Sequence, residues 1–438
     1  MPCRIILSSV IKSLVRKTCF DKLVNCWLVF FYKEVEKAMS TIYMLTSSFP
    51  YGGGEQFINT EVKYWDGRVT FAPLRKYGEI DRDLAGSVVD ESLIELYSCE
   101  KKKYLTRAAD IFFNRELYSE LLRKPQVLLS IKKMKLLIKF LFISHAIKSS
   151  LLILVKGKKI EVMYSYWFSH GAMALSLLKK TYPDIKLVAR GHGSDVYEYV
   201  WPNGYMPLGA TYYKAFEKIY CVSEHGMNYL HSHFGVPGSY LEVSRLGIDG
   251  AVKAERQRRI ADLHVVSVSR VIPLKRLDLL VDALYMYLQN NPGVDLKWTH
   301  IGSGEVFEAI KLKSENCNLN VNFLGEITNE AVYEFYMDAK VDVFINVSSS
   351  EGVPVAMMEA ISFDIPIIAT AVGGVPEIVT NESGILISKD FKTIELVRAI
   401  EDVNKLKFSP RNVFDNRYSA NVNYVSFIGQ ITDVIDGK

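Results

Sequence analysis

Cysteine, long apolar runs and net charge are all scarce in this chain of 438 residues. The six cysteines, Cys3, Cys19, Cys26, Cys99, Cys221 and Cys317, are scattered without CxxC spacing. That excludes a disulfide framework and a thiolate zinc site, and reads as the reduced thiols of a cytoplasmic protein. No stretch of about 18 apolar residues stands uninterrupted, so no membrane-spanning helix is expected. The first apolar patch is broken by Lys12 and has no small-residue cleavage site after it, unlike a secretory leader. Net charge is only +4, which gives no footprint for nucleic acid. Short internal repeats are absent. So is a DxD-type acidic motif at a strand end, and no metal is expected.

What is there is globular: 49% hydrophobic and 23% charged residues, with mean hydropathy +0.08. The length suits two or three domains, each with its own core. Short apolar runs such as Ile42-Tyr43-Met44-Leu45, Leu187-Val188-Ala189, Val265-Val266-Ser267-Val268 and Val343-Phe344-Ile345 alternate with helical patterns. That alternation predicts α/β units built on parallel sheets. A charged stretch from Lys253 to Arg259 separates two such series. The expected division is a first Rossmann-like domain over 41–248, a hinge over 249–262, a second Rossmann-like domain over 263–420, and a C-terminal helix over 421–438 that returns to the first domain.

Two segments stand outside the alternation. Residues 1–40 precede the first strand. Their apolar and polar residues separate at helical spacing over 4–17, which suits an amphipathic helix; Met39 just before the first strand suits a later start of the chain instead. Residues 101–159 carry 15 Lys or Arg against 3 acids, a local charge of +12, so the rest of the chain carries about −8. There Lys132, Lys133, Lys135, Lys139 and Lys148 interleave with Leu136, Leu137, Phe140, Leu141, Phe142 and Leu151. The expectation is a peripheral face for anionic lipid at the inner side of the cytoplasmic membrane; a solvated helical face packed on the first domain is the alternative.

Glu351-Gly352-Val353-Pro354-Val355-Ala356-Met357-Met358-Glu359-Ala360 carries the strongest chemical signal. A buried strand, a polar loop and a proline read as strand, loop and helix start. Free N–H groups at such a start attract phosphate. Glu359, on an otherwise apolar helix, needs hydrogen-bond donors, and ribose or sugar hydroxyls would serve. Taken alone, Glu351 reads equally well as a solvated loop residue and Glu359 as the partner of a lysine. Arg270 and Lys275, five residues apart after a predicted strand, could clamp a diphosphate or form an ordinary surface pair.

These residues resemble the EGxPxxxxEA signature of the group 1 retaining glycosyltransferases, which have the GT-B fold: two doubly wound Rossmann-like domains facing a central cleft. The resemblance extends over roughly residues 41–435. It implies that Glu359 holds the nucleotide ribose and Glu351 contacts the donor sugar. It also implies that Gly352, Val353, Pro354 and Val355 face the diphosphate, with Arg270 and Lys275 as its clamp. By the same resemblance Gly302, Gly304 and Gly325 lie near the nucleotide. Gly52, Gly53 and Gly54 form a loop facing the donor across the cleft, and His192, between two glycines in Arg190-Gly191-His192-Gly193-Ser194-Asp195, lies beside the reacting sugar.

The implied reaction is transfer of a sugar from a UDP- or GDP-sugar to a glycan or lipid-linked glycan acceptor, with retention and without a required cofactor. No carboxylate nucleophile of the glycosidase kind stands out. Surface polysaccharide, lipopolysaccharide or lipid-linked glycan assembly is the implied setting. A nucleotide-sugar 2-epimerase of the same fold and a non-catalytic nucleotide-sugar-binding partner are the rival readings.

Overall fold

The computed structural model describes residues 42–52, 55, 57–80, 82–106, 108–250, 262–403 and 405–437. The expectations for residues 1–40, for Gly53 and Gly54, and for 251–261 of the hinge fall outside the described residues.

Two parallel sheets organise the chain. The first contains β1 (Ile42–Thr46), β2 (Val69–Pro73), β3 (Val88–Val89), β4 (Val162–Ser165), β5 (Lys186–Gly191), β6 (Lys218–Cys221) and β7 (Leu241–Val243), in the order β3-β2-β1-β4-β5-β6-β7. The second contains β8 (Asp262–Val268), β9 (Asp295–Ile301), β10 (Asn320–Gly325), β11 (Val343–Asn346), β12 (Ile367–Thr370) and β13 (Gly384–Ile387), in the order β10-β9-β8-β11-β12-β13. Strands β1, β2, β4, β11 and β12 are buried at every position, because helices cover both faces of each sheet. In both sheets the strand order reverses once, between β1 and β4 and between β8 and β11. Ligands of open α/β sheets bind outside the carboxyl ends of the strands at such a reversal.

The two domains are stitched at their base. Ile248 N donates to Tyr418 O at 3.0 Å, and Ala420 N donates to Ile248 O at 3.0 Å. A Cβ on Gly247 would lie 2.5 Å from Ala420 Cα, so only glycine lets the two crossings run side by side. The helix Ala420–Asp436 then packs Phe427, Ile428 and Ile431 against β1, β2, β4 and β5 of the first sheet. Arg190, at the end of β5, is wholly buried. It donates to Glu61 at 2.6 Å and stands over the Phe427 ring at 4.4 Å. This pair anchors the strand end that carries His192. Breaking such a buried pair costs about 3–5 kcal/mol.

The basic segment folds as helices Ser92–Thr106, Arg115–Arg123 and Ile131–Leu154 on the first domain. The 24-residue helix Ile131–Leu154, with an 18-residue stretch of mean hydropathy 1.7, is by length and composition long and apolar enough to span a bilayer, which the sequence reading did not foresee. Its apolar side is nevertheless core: Leu137, Phe140, Leu141, Ile147 and Leu151 are buried. The expected lysine–leucine interleave at the surface is therefore corrected. The exposed apolar side chains lie just upstream instead, with Phe113 at 87%, Leu122 at 86% and Leu129 at 89% exposure.

Candidate active site

The cleft is built at the strand ends beside the two reversals. After β11, the Asn346 side chain folds the next loop: its Oδ1 accepts from Ser348 N at 2.9 Å and its Nδ2 donates to Glu351 Oε1 at 3.1 Å. Arg276, with a left-handed φ of 51°, donates to Val347 O at 2.7 Å and to Ser348 O at 3.2 Å, fixing the loop from the other side. Lys275 Nζ donates to Glu351 Oε1 at 2.6 Å. Two residues expected at different parts of a donor are thus in direct contact. Arg270, just after β8, is exposed and has no ion-pair partner among the described residues.

Pro354 is the N-cap of the helix Val355–Ser362, one position before the first helical turn expected for it. Val353 and Val355 flank it, half-buried. Glu359 is 5% exposed. Its partner is no lysine: Asn329 Nδ2, from the helix Asn329–Asp338, donates to Glu359 Oε1 at 3.0 Å. The other carboxylate oxygen has no protein donor among the described residues. Burial pushes the Glu359 carboxyl up to about 7, with the Asn329 bond pulling the other way. A half-satisfied buried carboxylate is a place for ligand hydroxyls.

The glycines divide by role. A Cβ on Gly302 would lie 2.0 Å from Ser269 O, and one on Gly304 2.4 Å from Val271 O. These two glycines let the loop after β9 close onto the loop after β8, where Val271 N donates to Ser303 O at 2.8 Å. Gly325, at φ 69°, accepts from Gly302 N at 2.7 Å through its carbonyl. Gly52, at φ 68°, lies against Tyr77. Gly352 reaches across the cleft: a Cβ there would be 3.1 Å from Gly193 Cα. His192 and Glu351 are the residues immediately before these two touching glycines, so the facing loops bring both to one place. Glu377 also bridges the domains, accepting from His225 N at 3.0 Å and from Arg245 at 2.9 Å.

His192 is 8% exposed and sits among Phe57, Tyr166 and Trp167, with Trp167 nearest at 4.6 Å between ring centroids. Among the described residues neither ring nitrogen has a hydrogen-bond partner; Nδ1 is 3.6 Å from Asp195 Oδ2. Asp195 fixes the loop by accepting from His192 N at 2.6 Å and Phe168 N at 2.7 Å. Glu55 does the same for residues 47–49 after β1. It is 3% exposed and accepts from Ser47 N, Ser48 N and Phe49 N at 3.1, 2.8 and 2.7 Å, and from Trp167 Nε1 at 2.5 Å.

The sequence reading assigned no role to Glu55, Asn346, Asn329 or Trp167. A lone polar residue closing an apolar strand was a signal for Asn346, and a carboxylate ending a glycine run was one for Glu55. Nothing local marked Asn329, which meets Glu359 only through the packing of two helices. Among the described residues no three His, Cys, Asp or Glu side chains group so as to hold a metal ion.

Two doubly wound domains, joined at the base with loops facing across a cleft, define the GT-B fold. The lipopolysaccharide outer core galactosyltransferase WaaB superposes on 90% of this chain and 99% of its own with a TM-score of 0.64 at 14% identity. HepE of Anabaena, solved in complex with UDP, superposes on 90% of this chain and 100% of its own with a TM-score of 0.58 at 15% identity. Residues 253–419 match the family described as "Glycosyl transferases group 1". The putative colanic acid biosynthesis glycosyltransferase WcaL of Escherichia coli K12 is 24% identical over 241 residues, 53% of this chain. The match spans only 59% of the WcaL chain.

Proposed function

We propose that the protein is a retaining glycosyltransferase that moves a sugar from a UDP- or GDP-sugar to a hydroxyl of a glycan or lipid-linked glycan in surface-polysaccharide or lipopolysaccharide assembly. The observation that carries this reading is the convergence of Arg270, Lys275, Glu351 and Glu359 on one strand-order reversal, with an oxygen of Glu359 unmatched by any described protein donor. Ribose hydroxyls satisfy Glu359. Arg270, Lys275 and the N–H groups at the start of Val355–Ser362 take up diphosphate charge as the anomeric C–O bond breaks. Glu351 accepts from sugar hydroxyls, and His192 lines the opposite wall. The acceptor oxygen bonds to the anomeric carbon on the face the diphosphate leaves, and its proton passes to a diphosphate oxygen. UDP is the first nucleotide to test, because HepE binds it.

The same reading puts the protein at the inner face of the cytoplasmic membrane. Phe113, Leu122, Leu129 and Ile131 are exposed on neighbouring elements. Lys132, Lys135 and Lys139 are exposed beside them at helical spacing. The nearby acids are already committed: Glu116 accepts from Lys180 at 3.1 Å and Glu120 from Tyr205 Oη at 2.9 Å. An apolar ridge edged by free lysines suits an anionic bilayer.

A thermal-shift panel of UDP-, GDP- and ADP-sugars, followed by a nucleotide-release assay, tests the transfer reading. Stabilisation by one nucleotide class, with release only when an acceptor is present, supports it. Release without acceptor favours the epimerase, and no stabilisation by any member of the panel refutes the proposal.

A further inference from the structure

A second opening lies at the strand-order reversal of the first sheet. A cavity of about 130 Å³ opens there, where β1, β2 and β4 end and the helix His170–Lys179 begins. Its polar wall includes Ser47, Arg75, Trp167, Ser169 and His170, and Ile143 and Ile147 line its apolar side. Among the described residues no Asp or Glu lines it. A Cβ on Gly171 would lie 2.9 Å from Leu45 Cδ2 and 3.1 Å from Ser165 Oγ, so glycine lets this helix start close down on the strand ends.

The electrostatics have one sign. Burial and the nearby charges of Lys139 and Arg75 hold the His170 imidazole down at about 4, so it is neutral at physiological pH. His170 packs at a tilt of 33° against Phe140, 4.5 Å between ring centroids, and has no hydrogen-bond partner among the described residues. Arg75 is exposed, its side-chain partners are the tyrosine hydroxyls of Tyr77, at 3.4 Å, and Tyr97, and no carboxylate pairs with it among the described residues. The helix start adds its own positive end. An apolar wall, an unpartnered imidazole, an exposed guanidinium and no lining carboxylate among the described residues together describe a place for an anion. Trp167 ties it to the reaction centre: one indole lines the cavity, donates to Glu55 and lies 4.6 Å from His192.

We propose that this cavity binds a phosphate group carried by the acceptor, with Arg75 as its charge partner, His170 and the helix start as hydrogen-bond donors, and Ile143 and Ile147 against the apolar part. The word acceptor rests on the transfer reading above; the anion site does not. The phosphate belongs either to a lipid or to a water-soluble sugar or polyol.

Calorimetry on the full chain with UDP bound tests it, using farnesyl phosphate and glycerol 3-phosphate beside farnesol and glycerol. At least one phosphate is expected to bind about tenfold or more tighter than its neutral counterpart, and Arg75→Gln to remove that margin. Arg75 is exposed, so the variant should keep its melting temperature and its affinity for UDP. Farnesyl phosphate binding well above glycerol 3-phosphate identifies a lipid source; equal binding identifies the phosphate alone. Equal binding of charged and neutral probes, no binding of either phosphate, or no effect of Arg75→Gln overturns the proposal. Failure of both UDP and GDP to bind refutes the transfer reading instead and leaves the phosphate result standing.

Discussion

Lys275 and Glu351 are joined by a 2.6 Å ion pair on the floor of the cleft. The cation proposed for the diphosphate and the carboxylate proposed for the sugar therefore hold each other in place until a donor arrives. Their removal should have opposite consequences. Lys275→Ala takes away charge-assisted bonds to the diphosphate and should weaken UDP by roughly 1.5–3 kcal/mol. Glu351→Gln releases Lys275 and should leave UDP affinity unchanged or slightly higher, while lowering transfer by about 10²-fold. Titration of UDP together with steady-state turnover separates the two. Parallel losses of UDP affinity in both variants would show the pair to be structural only.

Glu359 makes UDP binding a proton event. Its folded-state carboxyl stands at about 7, against an ordinary 4.5, because burial disfavours the charge. The stability this confers is present below about 4.5 and is lost as pH rises through about 7. Ribose hydroxyls donating to the carboxylate favour its charged form, so UDP binding between pH 6 and pH 7 (roughly the range of this shift) should release protons. Calorimetry in buffers of different ionisation enthalpy reads this release. Glu359→Gln should abolish the part that belongs to the side chain. Identical proton release in the variant would remove Glu359 from the ribose site.

Glu55 holds the loop after β1 by accepting three backbone N–H groups and the Trp167 indole. Glu55→Ala leaves these donors unmatched in a buried place and should cost roughly 3 kcal/mol in urea unfolding. Because Trp167 lies against His192, turnover should also fall in the folded variant. A stability change below about 0.5 kcal/mol, within the usual range for a surface substitution, would contradict this role.

Much of the fold was legible because its strands are buried on both faces. Val343-Phe344-Ile345 and Val265-Val266-Ser267-Val268 read as continuous apolar runs, and both are strands. The edge strand β10 was legible from Val321-Asn322-Phe323-Leu324, but the short edge strands β7, Leu241–Val243, and β13, Gly384–Ile387, with one neighbour each, were not. The central strand β2, Val69–Pro73, was missed too, since Thr70 and Pro73 break its apolar run. At the site, the glutamates and cations were readable because their types and spacing persist along the chain. Asn329 was not, because its meeting with Glu359 is made by tertiary packing.

The apolar ridge gives a separate test. Phe113→Ser with Leu129→Ser removes two exposed apolar side chains and touches nothing buried. The pair should reduce sedimentation with vesicles of anionic lipid, at unchanged melting temperature. Added salt should weaken the remaining binding, since each surface lysine contributes roughly 1 kcal/mol and is screened. Sedimentation that ignores both the substitutions and the anionic lipid content would move the membrane contact elsewhere.

The most direct test of the account is the affinity of UDP for the full chain with and without the Glu359 carboxylate. Glu359→Ala should weaken UDP by roughly 1.5–3 kcal/mol, about ten- to hundredfold, in a variant that remains folded. Unchanged UDP affinity in a folded Glu359→Ala protein would contradict the placement of the nucleotide in this cleft.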